Sequence, residues 1–283
     1  MTRIGAVACA IAAIGLAVPA SPTAAVAQQA PELLNSKVEV AYIEPLDAGH
    51  RPIYERLKKR QVLEQLQQFL APLRLPRTLM VKAEGCRGIV NAWYVDATVT
   101  LCYEYIEYIR RLAPAETTPE GVTPEDAIVG SFVEVVLHEL SHAVFDLLQI
   151  PVLGREEDAA DQLAAFIMMQ FGKNVARRTL TGVAHLYGFE AATQKWTRDD
   201  FADTHGNPAQ RFFNTLCIAY GGDPETFNDF VDKGILPRRR ANRCVWEYRQ
   251  IARAFNKLLM PYVDLELMEK VRKVEWLRPD DGR

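Results

Sequence analysis

Apolar residues recur along this chain with two different periods. From Val38 to Ile43 they alternate with polar ones, as on a half-buried strand. From Arg51 to Leu73 they fall three and four residues apart (Ile53, Leu57, Val62, Leu66, Phe69, Leu70), which predicts one helix, with Pro76 following its end. Leu79 to Ala83 is a second strand candidate. Ala92 to Tyr103 predicts a hairpin, with Trp93, Tyr94 and Val95 on one side of a turn near Asp96-Ala97 and Val99, Leu101 and Tyr103 on the other. A loop rich in Pro and Thr over 114–124 leads into a long helix that opens at Thr123 or Pro124, runs to about Gln149 and is stopped by Pro151. Helical spacing then takes over, at 155–171, 174–188, 208–220, 224–233, 239–260 and 264–275. Strands first and helices afterwards predict an α+β fold. A sheet-containing lobe over about 37–150 and a helical lobe over about 151–283 would share one cleft within a single domain, 28–283.

The first residues read as a processing signal. Arg3 gives a positive start, Ile4 to Val18 is apolar, and Ala25-Val26-Ala27 is a small-residue cleavage site, so a signal peptide 1–27 is expected. The apolar run is short for a membrane span, and no stable membrane anchor is expected. The mature chain is expected to be exported, periplasmic or secreted. Export changes the meaning of the cysteines. Four remain after cleavage, an even count that in an oxidising compartment predicts disulfides. Short loops favour Cys86–Cys102 and Cys217–Cys244. Composition excludes other classes. With 49% hydrophobic and 24% charged residues the chain is globular, and a net charge of −3 gives no basic face for nucleic acid. Arg238-Arg239-Arg240 is expected to be a solvated helix start. Phe212 and Phe213 are expected in the core, and His50 and His185 are read as structural or surface residues.

The long helix carries His138-Glu139-Leu140-Ser141-His142, the pattern H-E-x-x-H. At i and i+4 the two imidazoles leave one helix face and can share one ion. Glu139 lies about 100° further round, beside that ion, where a carboxylate can take a proton from metal-bound water. Val129, Phe132, Val136, Leu140, Ala143 and Leu147 form the expected core stripe, with Ser131, Val135, His138, His142 and Phe145 on the other side. A hydrolytic zinc site wants a third protein ligand, and Glu156-Glu157-Asp158-Ala159-Ala160-Asp161 follows on the next helix. Glu157 and Asp161 are an i,i+4 pair, so Glu157 can bind the ion while Asp161 accepts from a ligand imidazole. Glu156 is the rival ligand, with Ala160 at its i+4 position. An acidic helix start stabilised by the helix dipole would also explain three acids in a row.

These residues resemble the gluzincin metallopeptidases, the thermolysin- and neprilysin-like enzymes. His138 to Asp146, HELSHAVFD, is similar to their active-site helix, and Glu157 to Asp161 to their E-x-x-x-D helix. Asn91-Ala92-Trp93-Tyr94 resembles the N-A-x-Y edge strand, and Asp203-Thr204-His205 with Arg211 resembles the D-x-H…R element. The whole resembles a compact bacterial metallopeptidase family with a minimal gluzincin core. The resemblance implies a zincin-like fold with a small N-terminal mixed sheet. It implies Zn²⁺ on His138, His142 and Glu157, Glu139 as general base, and His205 stabilising an oxyanion. It further implies that Asn91 and Ala92 bind a peptide or protein substrate as an added strand, and that Arg211 bonds a substrate carbonyl. The expected reaction is peptide-bond hydrolysis; hydrolysis of another amide, or a zinc-binding scaffold without activity, are the alternatives. The chain lacks the length for a large lid, and the turn between His142 and Glu157 must be tight.

Overall fold

The computed structural model describes residues 37–277, so the expected signal peptide lies outside the described residues. Strand β1 (Val38–Tyr42) leads through α1 (Arg51–Lys59) and α2 (Val62–Leu70) to β2 (Leu79–Glu84). β3 (Ala92–Val95) and β4 (Thr98–Cys102) form the hairpin, and α3 (Tyr103–Leu112) follows directly. The sheet order is β1-β2-β4-β3; β1, β2 and β4 run parallel, and β3 runs antiparallel to β4. The fold is the expected α+β arrangement of a small mixed sheet followed by helices. Asp96 and Ala97 both take positive φ, 48° and 55°, which gives the two-residue turn the twist that antiparallel neighbours need. Two boundaries differ from expectation. The single helix over 51–73 is broken at Gln61, whose φ of 50° interrupts the helical backbone. Tyr103 opens a helix instead of ending a strand, because its side chain turns inward and its hydroxyl donates to the carbonyls of Ile43 and Ala83.

Helix α4 (Pro124–Leu147) runs through the centre. Thr123 caps it by accepting from the Asp126 N–H at 3.0 Å, and Pro124 sits where no N–H is needed. By composition it could cross a membrane, yet 78% of its most apolar window is buried inside the protein, as in a core helix. The expected one-sided stripe is corrected by this burial. Ser131, Val135, His138 and Phe145 are as buried as Val136 and Leu140, because β3 and β4 cover one side and α3, α5 (Glu156–Met168) and α6 (Lys173–Thr193) cover the rest. The buried hydroxyls of Ser131 and Ser141 are satisfied within the helix, on the carbonyls of Ala127 and Leu137.

Beyond α6 come α7 (Pro208–Gly222), the short α8 (Asn228–Asp232), α9 (Arg238–Leu259) and α10 (Leu265–Val271). The structure bonds Cys86 to Cys102 and Cys217 to Cys244, the two local pairings. The second staples α7 to α9 where Gly221 lets the helices touch: a Cβ there would lie 2.2 Å from the carbonyl oxygen of Cys244. Two disulfides fit an oxidising compartment. Phe213, expected in the core, is 36% exposed on α7. His50 is buried against Tyr103.

Candidate metal centre

Three segments meet at the C-terminal half of α4. His138 and His142 come from α4, one helical turn apart; Glu156, Glu157 and Asp161 come from the first turns of α5; His205 comes from the loop that precedes α7. The turn 150–155 between α4 and α5 is as tight as the spacing requires. Oε2 of Glu157 lies 3.0 Å from Nε2 of His138 and 3.2 Å from Nε2 of His142, and the two Nε2 atoms are 3.2 Å apart. Ligand bonds of about 2.0–2.1 Å in tetrahedral geometry put donor atoms about 3.3 Å apart. The three atoms therefore fit a single ion of zinc's size, and two imidazoles with a carboxylate are a donor set that zinc accepts. The third imidazole is close as well, with Nε2 of His205 2.9 Å from the same Glu157 oxygen and its ring stacked 5.7 Å from that of His138.

Behind these atoms lies a layer that orients them. Nδ1 of His138 bonds Asp161 Oδ1 at 2.8 Å, and Nδ1 of His142 bonds Glu156 Oε1 at 2.7 Å. Each imidazole thus has a carboxylate on the nitrogen that faces away from Glu157. Arg211, read from its motif as a contact to substrate, turns two of its nitrogens onto Asp161, with Nε at 2.8 Å from Oδ2 and Nη2 at 2.6 Å from Oδ1. His205 is held by Asp203, which accepts from its backbone N–H and pairs with its Nδ1 at 3.1 Å. Glu139 is buried at 7% exposure, and among the described residues its carboxylate takes no hydrogen bond.

Strand β3 forms the neighbouring wall. Its outer edge pairs with no other strand among the described residues. Asn91 stands exposed just before it, and the side chain of Ala92 is buried. Tyr94 ties the strand to α4, its hydroxyl donating to Asp146 Oδ2 at 2.5 Å. The preceding loop is anchored too. Glu104 accepts the N–H groups of Cys86 and Gly88 at 2.9 Å, beside the Cys86–Cys102 bond. A cavity of about 520 Å³ opens between Arg155, Asn207, Gln210, Phe213 and Arg240. Arg155 bonds both Asp158 and the His205 carbonyl, so this cavity adjoins the loop that carries His205.

Residues 42–259 match a family model described as "Putative metallopeptidase". The chain belongs to that family. No curated protein and no solved structure matches it. Membership implies a metal ion, and the convergence of His138, Glu157 and His205 offers a place for one.

The electrostatics of this metallopeptidase-family site favour a cation. Hydrogen bonds from His138, His142 and His205 hold Glu157 far below the usual carboxylate range. Burial pushes Asp161 up, but the Arg211 charge and the bonds from His138 and Arg211 outweigh it and keep the group ionised. Burial opposes the charged form of His138, yet Asp161 and Glu157 overcome it and raise its pKa to about 10. His142 moves up in the same way, against burial, through Glu157 and Glu156. A metal ion entering here takes over the positive charge that these imidazoles otherwise attract. Glu139 differs: burial raises it, and His138 and His142 offset that only in part.

Sequence reasoning did not find a role for Glu156 beyond rival ligand, nor for Glu134 and Tyr187. Glu134 was visible as a lone carboxylate in the apolar run Phe132–Leu137, one turn before His138. Such a residue is almost never fully buried unless it is paired.

Proposed function

We propose that the chain is an exported, zinc-dependent peptidase of gluzincin type, formed by a sheet lobe and a helical lobe of one domain. The observation that carries this reading is the mutual approach of His138, His142 and Glu157 to 3.0–3.2 Å, with the unpartnered Glu139 beside them. A zinc ion at these three atoms would supply Lewis acidity and lower the pKa of a bound water. Everything else is work for the protein's own groups. Asp161 and Glu156 keep the protons of His138 and His142 on Nδ1, which leaves each Nε2 lone pair for the ion. Glu139 takes the proton of the attacking water and passes it to the leaving amine. His205, kept in place by Asp203, donates to the oxyanion that forms on the carbonyl. Peptide backbone adds to the free edge of β3, with Asn91 and Ala92 at its start, so the substrate is read largely through its main chain. Arg211 has no described partner for Nη1, and that nitrogen remains for a substrate carbonyl while the other two hold Asp161.

The test is metal analysis of the purified chain together with cleavage of a peptide library by wild type and Glu139→Gln. The variant should retain one zinc per chain and lose activity by about 10²–10⁴-fold, the usual share of a general base. Full activity in Glu139→Gln, or a zinc-loaded wild type that cleaves nothing, would overturn the reading.

A further inference from the structure

One buried carboxylate is not used by the chemistry above. Glu134 is 5% exposed in the middle of α4, about one turn before His138 on the same face. Its Oε1 accepts the hydroxyl of Tyr187 at 2.6 Å and lies 3.3 Å from Nη2 of Arg211. Tyr187 is itself buried on α6, and its ring lies under the Arg211 guanidinium, 4.4 Å from Cζ to the ring centroid. The same Nη2 bonds Asp161 Oδ1, and that oxygen bonds Nδ1 of His138.

The contacts form a closed circuit. It starts on α4 at Glu134, crosses to Arg211 on α7, then to Asp161 on α5, and returns to α4 at His138. The two ends are joined by one turn of helix, which is the stiffest link available. Asp161 can orient an imidazole only if its own carboxylate is fixed. Arg211 fixes it from one side by gripping both oxygens, but a guanidinium on a long side chain has rotamer freedom of its own. Two further contacts remove that freedom: the Tyr187 ring beneath its plane and Glu134 at its edge. A carboxylate placed among apolar neighbours is costly unless it is hydrogen-bonded, and here both donors it meets belong to the frame around Arg211.

We propose that Glu134 is a positioning residue for the metal ligand His138, acting through Arg211 and Asp161, with Tyr187 completing the frame. The proposal rests on the reading that His138 binds zinc, and it extends the site inward by two layers. It assigns Glu134 no contact with substrate or ion.

The experiment measures the zinc dissociation constant of the full chain by competition with a chelator, and the visible absorption of the cobalt-substituted form. Both are taken for wild type, Glu134→Gln, Tyr187→Phe and Glu190→Gln. Glu190 is a suitable control, since it pairs with Tyr108 at 2.8 Å and hydrogen-bonds no member of the circuit. Removal of an outer-layer partner weakens metal binding by about 10–100-fold. At two bonds' remove, Glu134→Gln and Tyr187→Phe should lie near the low end, about tenfold, with a shifted cobalt spectrum, while Glu190→Gln matches wild type. If Glu134→Gln fails to fold, Tyr187→Phe decides, because it keeps the ring and loses only the hydroxyl. Wild-type zinc affinity and an unchanged cobalt spectrum in the folded variants would overturn the role of Glu134, even if their melting temperatures fell. A wild type that binds no zinc would overturn the metal site itself.

Discussion

The crossing of α4 and α6 gives a prediction whose sign is in dispute between two physical effects. Gly182 sits inside α6 with φ in the ordinary range, so helix propensity alone favours replacing it with Ala by about 1 kcal/mol. Space opposes the change. A Cβ at 182 would lie 2.0 Å from the carbonyl oxygen of Asp126, 2.8 Å from its carbon and 3.2 Å from Cα of Ala127. These are backbone atoms of the first turn of α4, with no rotamer to relieve the clash. An ordinary C···O approach is about 3.3 Å or more, so the helices would have to part by over an ångström. The partner position repeats the constraint, since a Cβ at Gly130 would lie 2.3 Å from the carbonyl oxygen of Thr179. Overpacking costs about 1–3 kcal/mol, and rigid atoms on both sides put this site at the upper end. Net of the propensity gain, Gly182→Ala should destabilise by about 2 kcal/mol, a fall in Tm of about 4–8 °C for a chain of this size. Gly188 on the same helix is the internal control. Its Cβ would meet the Phe212 ring at 3.3 Å, and a ring can tilt, so Gly188→Ala should melt within about 3 °C of wild type. Thermal denaturation followed by circular dichroism, with the disulfides intact, separates the two. If Gly182→Ala melts at or above the wild-type temperature, the close approach of the helices is wrong.

Two further outcomes follow from the site and its surroundings. Glu157→Ala should reduce zinc affinity by far more than tenfold in a chelator competition, whereas Glu156→Ala, which removes only an exposed outer contact to His142, should cost about tenfold or less; the reverse order would exchange their roles. Burial pushes Glu104 up, but the N–H bonds from Cys86 and Gly88 outweigh it and hold the carboxyl below its ordinary 4.5. A depressed folded pKa stabilises above the unfolded value and loses that stability as pH falls through the folded one. Tm measured from pH 6 down to about pH 2 should therefore fall less steeply in Glu104→Gln than in wild type, and parallel curves would contradict this.

How much of this was legible in the sequence depended on whether a feature is written locally. The hairpin, α4 and the HELSH pattern are local: alternation, helical spacing and a cap each occupy a few adjacent residues, and the spacing of His138 and His142 is a property of the helix itself. The Glu157–Asp161 pair was legible for the same reason. What could not be read is what depends on a third element. The sequence favours Glu157 over Glu156 as ligand through its i+4 partner Asp161, but only the angle at which α5 meets α4 brings Glu156 to the outer nitrogen of His142. Arg211 reads as a substrate contact from its motif, whereas its burial beside Asp161 depends on where α7 packs. Gly130 and Gly182 look like weak points of their helices until the crossing brings each against the other helix's backbone.

Helix α4 also shows why one of its acids is set apart. Four ionisable groups on it are buried to 8% exposure or less: Asp126, Glu134, His138 and Glu139. Burial penalises each charge, and for three of them another helix supplies the compensation. Arg178 from α6 bonds Asp126 at 2.5 Å, Tyr187 and Arg211 meet Glu134, and Asp161 with Glu157 flank His138. Glu139 receives long-range attraction from His138 and His142 but no hydrogen bond among the described residues. A mostly buried carboxylate left without a donor is the member of the set whose charge is least compensated. On this helix three buried ionisable groups are thus hydrogen-bonded from other helices, and one carboxylate is not. A structural pair of helix histidines would give no reason for the carboxylate beside them to stay unpaired, so this division supports the proposed role of Glu139 as general base.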